Sequence, residues 1–275
     1  MNGDDRLSEE QLKKLQSVLL EMLIELDGIC RKHRINYTLS GGTMLGAIRH
    51  RGFIPWDDDV DVSMLRVDYD KFREKCKTEL NQEKYFFQDN TTDSEYPWGY
   101  GRLRRLNSEF IRKGQEHMKM RTGIFLDIFP NDYIPNFYPQ RLIHSFCCFA
   151  VRKILYSESG KIAADSKLQK TIYRVISKIP RKTAFMLLDK LKIRKPSKYC
   201  RCLTFPPPKN RHLGTSTMFF EEYIDVYFED HCFLATKYYK EYLRYKYGDF
   251  MQLPPPKKRH CHLAAKISFP GEGKW

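Results

Sequence analysis

The chain has 275 residues, 41% hydrophobic and 14% aromatic, enough to bury one large core or one core with an insertion. Its net charge of +14 is concentrated: residues 151–212 hold 17 Lys and Arg against 3 Asp and Glu, while the remainder balances at 31 of each. No apolar run approaches the roughly 20 residues that span a bilayer, and the acidic start MNGDDRLSEEQ does not read as a secretory signal, so the expected location is cytoplasmic, or peripheral on the inner face of the cell membrane.

Ser8 opens a capping box with Gln11, and Leu12, Leu15, Leu19, Met22, Leu23 and Leu26 follow as one apolar helical stripe. Ile35 to Ser40 is a short strand-like run ending in Gly41-Gly42, and Thr43 to Arg49 reads as a short helix or turn. Pro55 and Trp56 lead into a second strand, Asp57 to Met64, and Asp68 is a plausible N-cap for a helix reaching about Leu80. Residues 85–112 have the look of short strands and turns. In Gly123 to Asp132, strand periodicity puts Phe125, Asp127 and Phe129 on one face and Ile124, Leu126 and Ile128 on the other, and Asp127, the one charge inside the apolar run, needs a partner.

From Pro139 to Leu191 the pattern is helical, with Leu168, Ile172, Val175, Ile176 and Ile179 opposed by Lys167, Lys170, Arg174 and Lys178. Lys192 to Arg211 is Pro-rich, basic and loop-like, and Tyr238 to Tyr247 is a last helix stopped by Gly248. Eight cysteines in a chain of this size do not make a disulfide scaffold. Cys200 and Cys202 with Cys232, Cys261 or His260 would be the makings of a zinc knuckle, but no C-x-x-C pair supports one and idle thiols are expected.

The chemistry lies in LSGGTMLGAIRHRGFIPWDDDVDVSM, Leu39 to Met64. Asp57, Asp58, Asp59 and Asp61 fall within five positions with no basic residue among them. On a strand Asp57, Asp59 and Asp61 share a face at about 7 Å spacing, an expensive arrangement without a cation. Hard oxygen ligands suit Mg²⁺ or Mn²⁺ together with substrate phosphates, and Gly41-Gly42 lets the backbone approach a phosphate closely. Asp127 on a third strand is placed to complete the set.

A Gly-Gly turn, then Asp59-Val60-Asp61, then Asp127 resembles the nucleotidyltransferase superfamily, although the gap from Gly42 to Asp59 is longer than usual for it. GGTMLGAIRHRGFIPWDDDVDVSMLRVDYDKF is more specific and resembles the LicD family of bacterial phosphocholine transferases, with GRLRRLNSEF, GIFLDIFPND and KYGDFMQLPPPKKRH following in order. Residues 10–135 carry the likeness well, 236–262 moderately and 136–235 not at all, and Arg105 stands where the family has Asp or another small residue. The resemblance implies an α/β (α+β) fold, a nucleotidyltransferase-like core with a small mixed sheet flanked by helices. On this reading 1–135 is the catalytic core, 136–212 a basic helical insertion and 213–275 a C-terminal part packing back.

It further implies a metal-dependent transfer of a phospho-alcohol such as phosphocholine from a CDP-activated donor to a hydroxyl of a glycan or its lipid-linked precursor. Asp59, Asp61 and Asp127 would be catalytic and hold Mg²⁺ or Mn²⁺, with Asp57 a further ligand and Asp58 pointing away. Gly41, Gly42, Thr43, Arg49, His50, Arg102, Arg104 and Asn107 would meet the substrate, and Trp56, His260 and His262 are lesser candidates. The rival reading keeps the fold but moves NMP from an NTP to a small molecule or RNA. The basic segment 151–212 suits an anionic membrane surface; with no recognised nucleic-acid motif and few aromatics interleaved, nucleic acid is the weaker partner.

Overall fold

In the computed structural model the described residues are 7–164, 166–208, 210, 212–255, 259 and 261–272. Helix α1, Glu9–His33, begins with the expected capping box, Ser8 accepting from the Gln11 N–H and Gln11 from the Ser8 N–H. Leu15, Leu19, Met22, Leu23, Leu26, Ile29 and Cys30 form its buried stripe. Strand β1 is only Thr38–Leu39, shorter than the run predicted, and helix α2 is Gly41–His50. Strand β2, Asp61–Leu65, starts four residues later than predicted: β1 offers it only Leu39 and Thr38, opposite Val62 and Ser63, so residues 57–60 lack a partner on that side.

Helix α3, Arg66–Glu79, starts ahead of Asp68, which lies in its first turn and accepts from the Asn36 N–H instead of capping the helix. Strands β3 (Tyr85–Gln88), β4 (Gly101–Arg105), β5 (Glu109–Arg112) and β6 (Phe125–Tyr133) follow. The helical segment resolves into α4 (Tyr138–Leu155), α5 (Ser157–Ala163), α6 (Lys167–Ile176) and α7 (Arg181–Leu191). The predicted loop after it contains β7, Tyr199–Arg201, which pairs with the end of β6 and with β8, Thr215–Ser216. A hairpin of β9 (Tyr223–Phe228) and β10 (His231–Thr236), helix α8 (Tyr239–Tyr247) and β11 (Ala264–Ser268) complete the chain.

The main sheet runs β1-β2-β6-β4-β3, with β2 and β6 parallel and the other pairs antiparallel. One face carries Val62, Met64, Leu103, Leu126 and Ile128, all fully buried. On that side Phe72 of α3 meets Phe87 edge-on at 5.9 Å, and Tyr85 reaches Glu21 of α1. The other face carries charge. Residues 213–272 return to the core: β11 pairs with β5, and Thr236 of β10 donates to Thr38 of β1. Helices α4 and α7 bury a smaller cluster of their own, Cys148, Val151, Leu155, Ala184 and Leu188 with Ile134 and Leu203.

Candidate active site

Register makes the site. Asp61 of β2 stands opposite Asp127 of β6, Asp127 opposite Arg102 of β4, and Arg102 opposite Gln88 of β3. Paired residues share a sheet face, so these four form a polar row across the strands while Val62, Ile128 and Leu103 point into the core. Burial alternates along Asp57 to Met64, with Asp58, Val60, Val62 and Met64 buried and Asp57, Asp59, Asp61 and Ser63 partly open. The expected alternation therefore holds although the regular pairing begins only at Asp61.

The start of α2 is stitched to this row. Ser40 N–H donates to the Asp61 carbonyl at 3.0 Å, and Asp61 N–H donates to Thr43 Oγ1 at 2.8 Å. Gly41 takes φ +58°, and a Cβ there would sit 2.8 Å from Asp61 Oδ2; a Cβ on Gly42 would sit 2.6 Å from Asp57 Oδ2. Only glycine leaves room for both carboxylates to approach the N-terminus of a helix, where the backbone dipole favours negative charge.

The carboxylates are held where little solvent screens them from one another. Burial, then Asp59 and Asp58, push Asp57 up to about 8. Burial, then Asp59 and Asp127, hold Asp61 well above the ordinary carboxylate range, with Lys246 pulling the other way. Asp59 is raised by burial and relieved by Arg112 and His262. Three of the four charges on this face thus have a cation supplied from elsewhere in the chain: Arg102 Nε donates to Asp127 Oδ1 at 2.6 Å, Arg112 Nη2 to Asp59 Oδ2 at 3.0 Å, and Lys246 lies by Asp61. Asp57 has no ion-pair partner among the described residues.

Several expected substrate contacts are spent inside the fold. Thr43 is buried and anchors β2 through its hydroxyl. Arg104 is buried, donating to Gln88 Oε1 and the Gly123 carbonyl at 2.7 Å each, and Arg102 is buried against Asp127 and Tyr100. Both therefore serve the sheet in place of an open nucleotide contact. Asn107 is an exposed residue at φ +56° in the β4–β5 turn, a backbone role that asparagine tolerates. Arg49 and His50 lie two turns from Gly41, ~12 Å along the helix axis, and Arg49 donates to the Phe250 and Gln252 carbonyls. Trp56 packs on the core beneath the Arg259 guanidinium.

Arg112, Lys246 and Tyr242, whose hydroxyl accepts from the Gly41 N–H at 3.0 Å, were not expected. No local pattern marks them, and only the fold brings α8 to the start of α2. Asp58 does point away: it is buried and takes the His262 N–H at 2.9 Å and lies 3.0 Å from His262 Nδ1. His260 lies outside the described residues. Cys200 and Cys202 are buried while Cys232 is exposed, and among the described residues no zinc knuckle forms from them.

Asp58, Asp59 and His262 are the group of the described residues whose ligand atoms all come within 4.8 Å of one another. Two hydrogen bonds between Asp58 and His262 already account for that approach. Asp57, Asp59, Asp61 and Asp127 are spread more widely, but they are an all-oxygen set beside a glycine cradle, and in Asp57, Asp59 and Asp61 burial and neighbouring carboxylates raise the proton affinity. That chemistry fits a hard divalent cation such as Mg²⁺ or Mn²⁺.

A mixed sheet with two carboxylate strands side by side and a glycine-started helix against them defines a nucleotidyltransferase-like fold. Residues 34–153 match the family described as LicD/FKTN/FKRP, nucleotidyltransferase domain. The chain is 29% identical over 262 residues, 91% of its own length and 95% of the relative's, to the lipopolysaccharide cholinephosphotransferase LicD of Haemophilus influenzae. Uncharacterized proteins of Rickettsia prowazekii and Rickettsia typhi are 37% identical over 68 residues and 38% identical over 69, covering 26% and 21% of their lengths and 22% and 25% of this chain. Residues 34–153 thus carry the likeness to the LicD/FKTN/FKRP nucleotidyltransferase domain, and the chain is similar to LicD over most of its length. Among the described residues no helix is long and apolar enough to cross a membrane.

Proposed function

We propose that the chain transfers a phospho-alcohol group of the phosphocholine kind from a CDP-activated donor to a hydroxyl of a cell-surface glycan or its lipid-linked precursor. The observation that carries this reading is the pairing of Asp61 with Asp127 beside the glycine start of α2. The printed activity of the Haemophilus relative favours phosphocholine as the group moved.

Mg²⁺ or Mn²⁺ held by Asp57, Asp59, Asp61 and Asp127 would offset the negative charge of the pyrophosphate and of the departing CMP. The chain's own groups do the rest. The N-terminus of α2 receives phosphate oxygens at Gly42, which is partly open, whereas the Gly41 N–H is taken by the Tyr242 hydroxyl. Arg102 and Arg112 fix the orientation of Asp127 and Asp59. The acceptor oxygen bonds to the phosphorus of the phospho-alcohol, the bond from that phosphorus to the bridging oxygen breaks, and CMP leaves with that oxygen. The hydroxyl proton passes to a carboxylate. Asp127 already accepts from Arg102 Nε, so the proton goes to a carboxylate of the row that the metal leaves uncoordinated.

We further propose that the helical segment rests on the anionic inner face of the cell membrane. Leu168 at 71%, Val175 at 60% and Phe146 at 69% exposure stand outward, with Lys167, Arg174 and Lys178 exposed on the same segment.

Thermal unfolding with Mg²⁺ alone and with Mg²⁺ plus CDP-choline, CDP-glycerol, CDP-ribitol, CTP or ATP tests the donor, because a ligand of the native state raises the midpoint. The reading predicts a rise with one CDP-alcohol that is lost in Asp61→Asn. A rise with an NTP alone, accompanied by pyrophosphate release, would move the assignment to nucleotidyl transfer.

A further inference from the structure

A cavity of about 460 Å³ opens where the strand core meets the helical segment, and nothing above assigns it. Its volume is within the ~300–1,000 Å³ of small-molecule sites. Trp98 and Tyr100 come from the loop before β4, Tyr156 from the α4–α5 junction and Phe205 from the segment after β7. The Trp98 and Tyr156 rings lie 6.4 Å apart at 30°, and Tyr100 and Phe205 lie 5.4 Å apart. The same walls hold Arg102, Arg112, Arg152 and Lys153, and none of the lining residues is acidic.

The cavity shares a wall with the carboxylates. Arg102 holds Asp127 and Arg112 holds Asp59, and both guanidiniums lie on the Phe125 ring, at 3.8 and 4.7 Å. Arg102 is 1% exposed, and among the described residues its Nη1, the Nε of Arg112 and the Nε1 of Trp98 are buried without a hydrogen-bond partner, so these atoms stand behind the cavity wall and do not open into it. Leaving such donors unmade costs about 1–3 kcal/mol each, more when charged.

The lining therefore offers flat aromatic faces and an excess of donors and positive charge. Arg102 and Arg112 are neutralised by Asp127 and Asp59, but Arg152 and Lys153 have no carboxylate partner among the described residues and would repel a quaternary ammonium. A neutral sugar needs acceptors for its hydroxyl protons, for which the side chains of this wall supply Gln115, Thr204 and Tyr hydroxyls. A nucleoside monophosphate matches: its phosphate takes Arg152 and Lys153, which no carboxylate among the described residues neutralises, its base carbonyl and ring nitrogen accept protons, and its ring stacks on the aromatics.

We propose that this cavity binds the nucleoside monophosphate half of the donor, so that the alcohol half and the acceptor lie on the side of α2. The inference rests on the donor reading of the preceding section but concerns a different set of residues. The test is calorimetric titration of the full chain with CMP, AMP, phosphocholine and glucose 1-phosphate, repeated in Phe205→Leu and in Lys153→Ala. The expected result is CMP binding that weakens at least tenfold in both variants, with circular dichroism unchanged. AMP binding with the same sensitivity and no CMP binding would keep a nucleotide in the cavity and sink the CDP donor. CMP binding indifferent to both variants, or variant-sensitive binding of glucose 1-phosphate alone, would overturn the cavity assignment; so would no binding of any nucleotide.

Discussion

The carboxylate edge and the helical segment 136–212 handle charge in opposite ways. At the edge of β2 and β6, each of three acidic groups is met by a cation from far along the chain: Asp127 by Arg102, Asp59 by Arg112, Asp61 by Lys246. In the helical segment the basic residues outnumber their acidic neighbours, and pairs such as Lys161–Glu158 and Lys192–Asp189 join side chains only three positions apart on the surface. Apolar groups follow the same division. Val62, Leu103 and Ile128 are sealed beneath the site, whereas Leu168, Ile172 and Val175 face outward. One region concentrates charge inside a rigid frame, at a cost in stability that a bound ligand can recover; the other leaves charge and apolar surface turned outward, as an interaction surface needs.

The sharpest break of this contrast is at the edge. Asp61→Asn or Asp127→Asn is expected to lower turnover more than about a hundredfold, the scale for losing one preorganised electrostatic group. Asp61→Asn should do so without lowering the unfolding midpoint of metal-free protein, whereas Asp127→Asn should lower it by stranding the buried Arg102 charge. Turnover within tenfold of wild type would remove these carboxylates from the chemistry. Arg102→Met deletes one partner of a buried pair, and urea unfolding should register a loss of about 3–5 kcal/mol. A loss under about 1 kcal/mol would mean that Asp127 does not depend on Arg102.

Protonation sharpens the comparison at smaller scale. Asp57 and Asp61 have raised proton affinities in the fold, so the native state binds more protons than the unfolded chain above pH ~4. Metal-free stability should therefore fall as pH rises from about 4 through about 8, and Asp57→Asn should flatten that slope. Melting curves that rise across the same window in metal-free protein would contradict the sign. The smallest expected change is in the helical segment. Leu168→Ser with Val175→Ser should shift stability by no more than ~0.5 kcal/mol while lowering sedimentation with phosphatidylserine vesicles; unchanged sedimentation would remove the membrane role.

Much of the edge could be read from the chain because its signals are local. The capped stripe of α1, the alternation through Asp57–Met64 and Asp127 within the apolar run of β6 each lie within one element, and register then does what the alternation implied. The cations were not legible for the converse reason. Arg112 is 53 residues from Asp59 and His262 is 204 from Asp58, distances that only tertiary structure closes. Arg102 and Arg104 resembled outward contacts because basic residues on a short strand read alike whether they face solvent or a buried carboxylate. The hairpin β9–β10 was missed although YIDVYF and HCFLAT carry strand-forming residues, because Glu229 and Asp230 supply no glycine to mark its turn.

The claim on which the rest depends is that the carboxylate row beneath α2 binds a divalent cation. Titration of Mn²⁺ followed by electron paramagnetic resonance, in wild type, Asp61→Asn, Asp127→Asn and His262→Ala, addresses it without any assumption about donor or acceptor. The account predicts that wild type and His262→Ala bind Mn²⁺ alike and that either carboxylate variant loses it. Binding that survives in both carboxylate variants but disappears in His262→Ala would put the cation at Asp58, Asp59 and His262 and contradict the account.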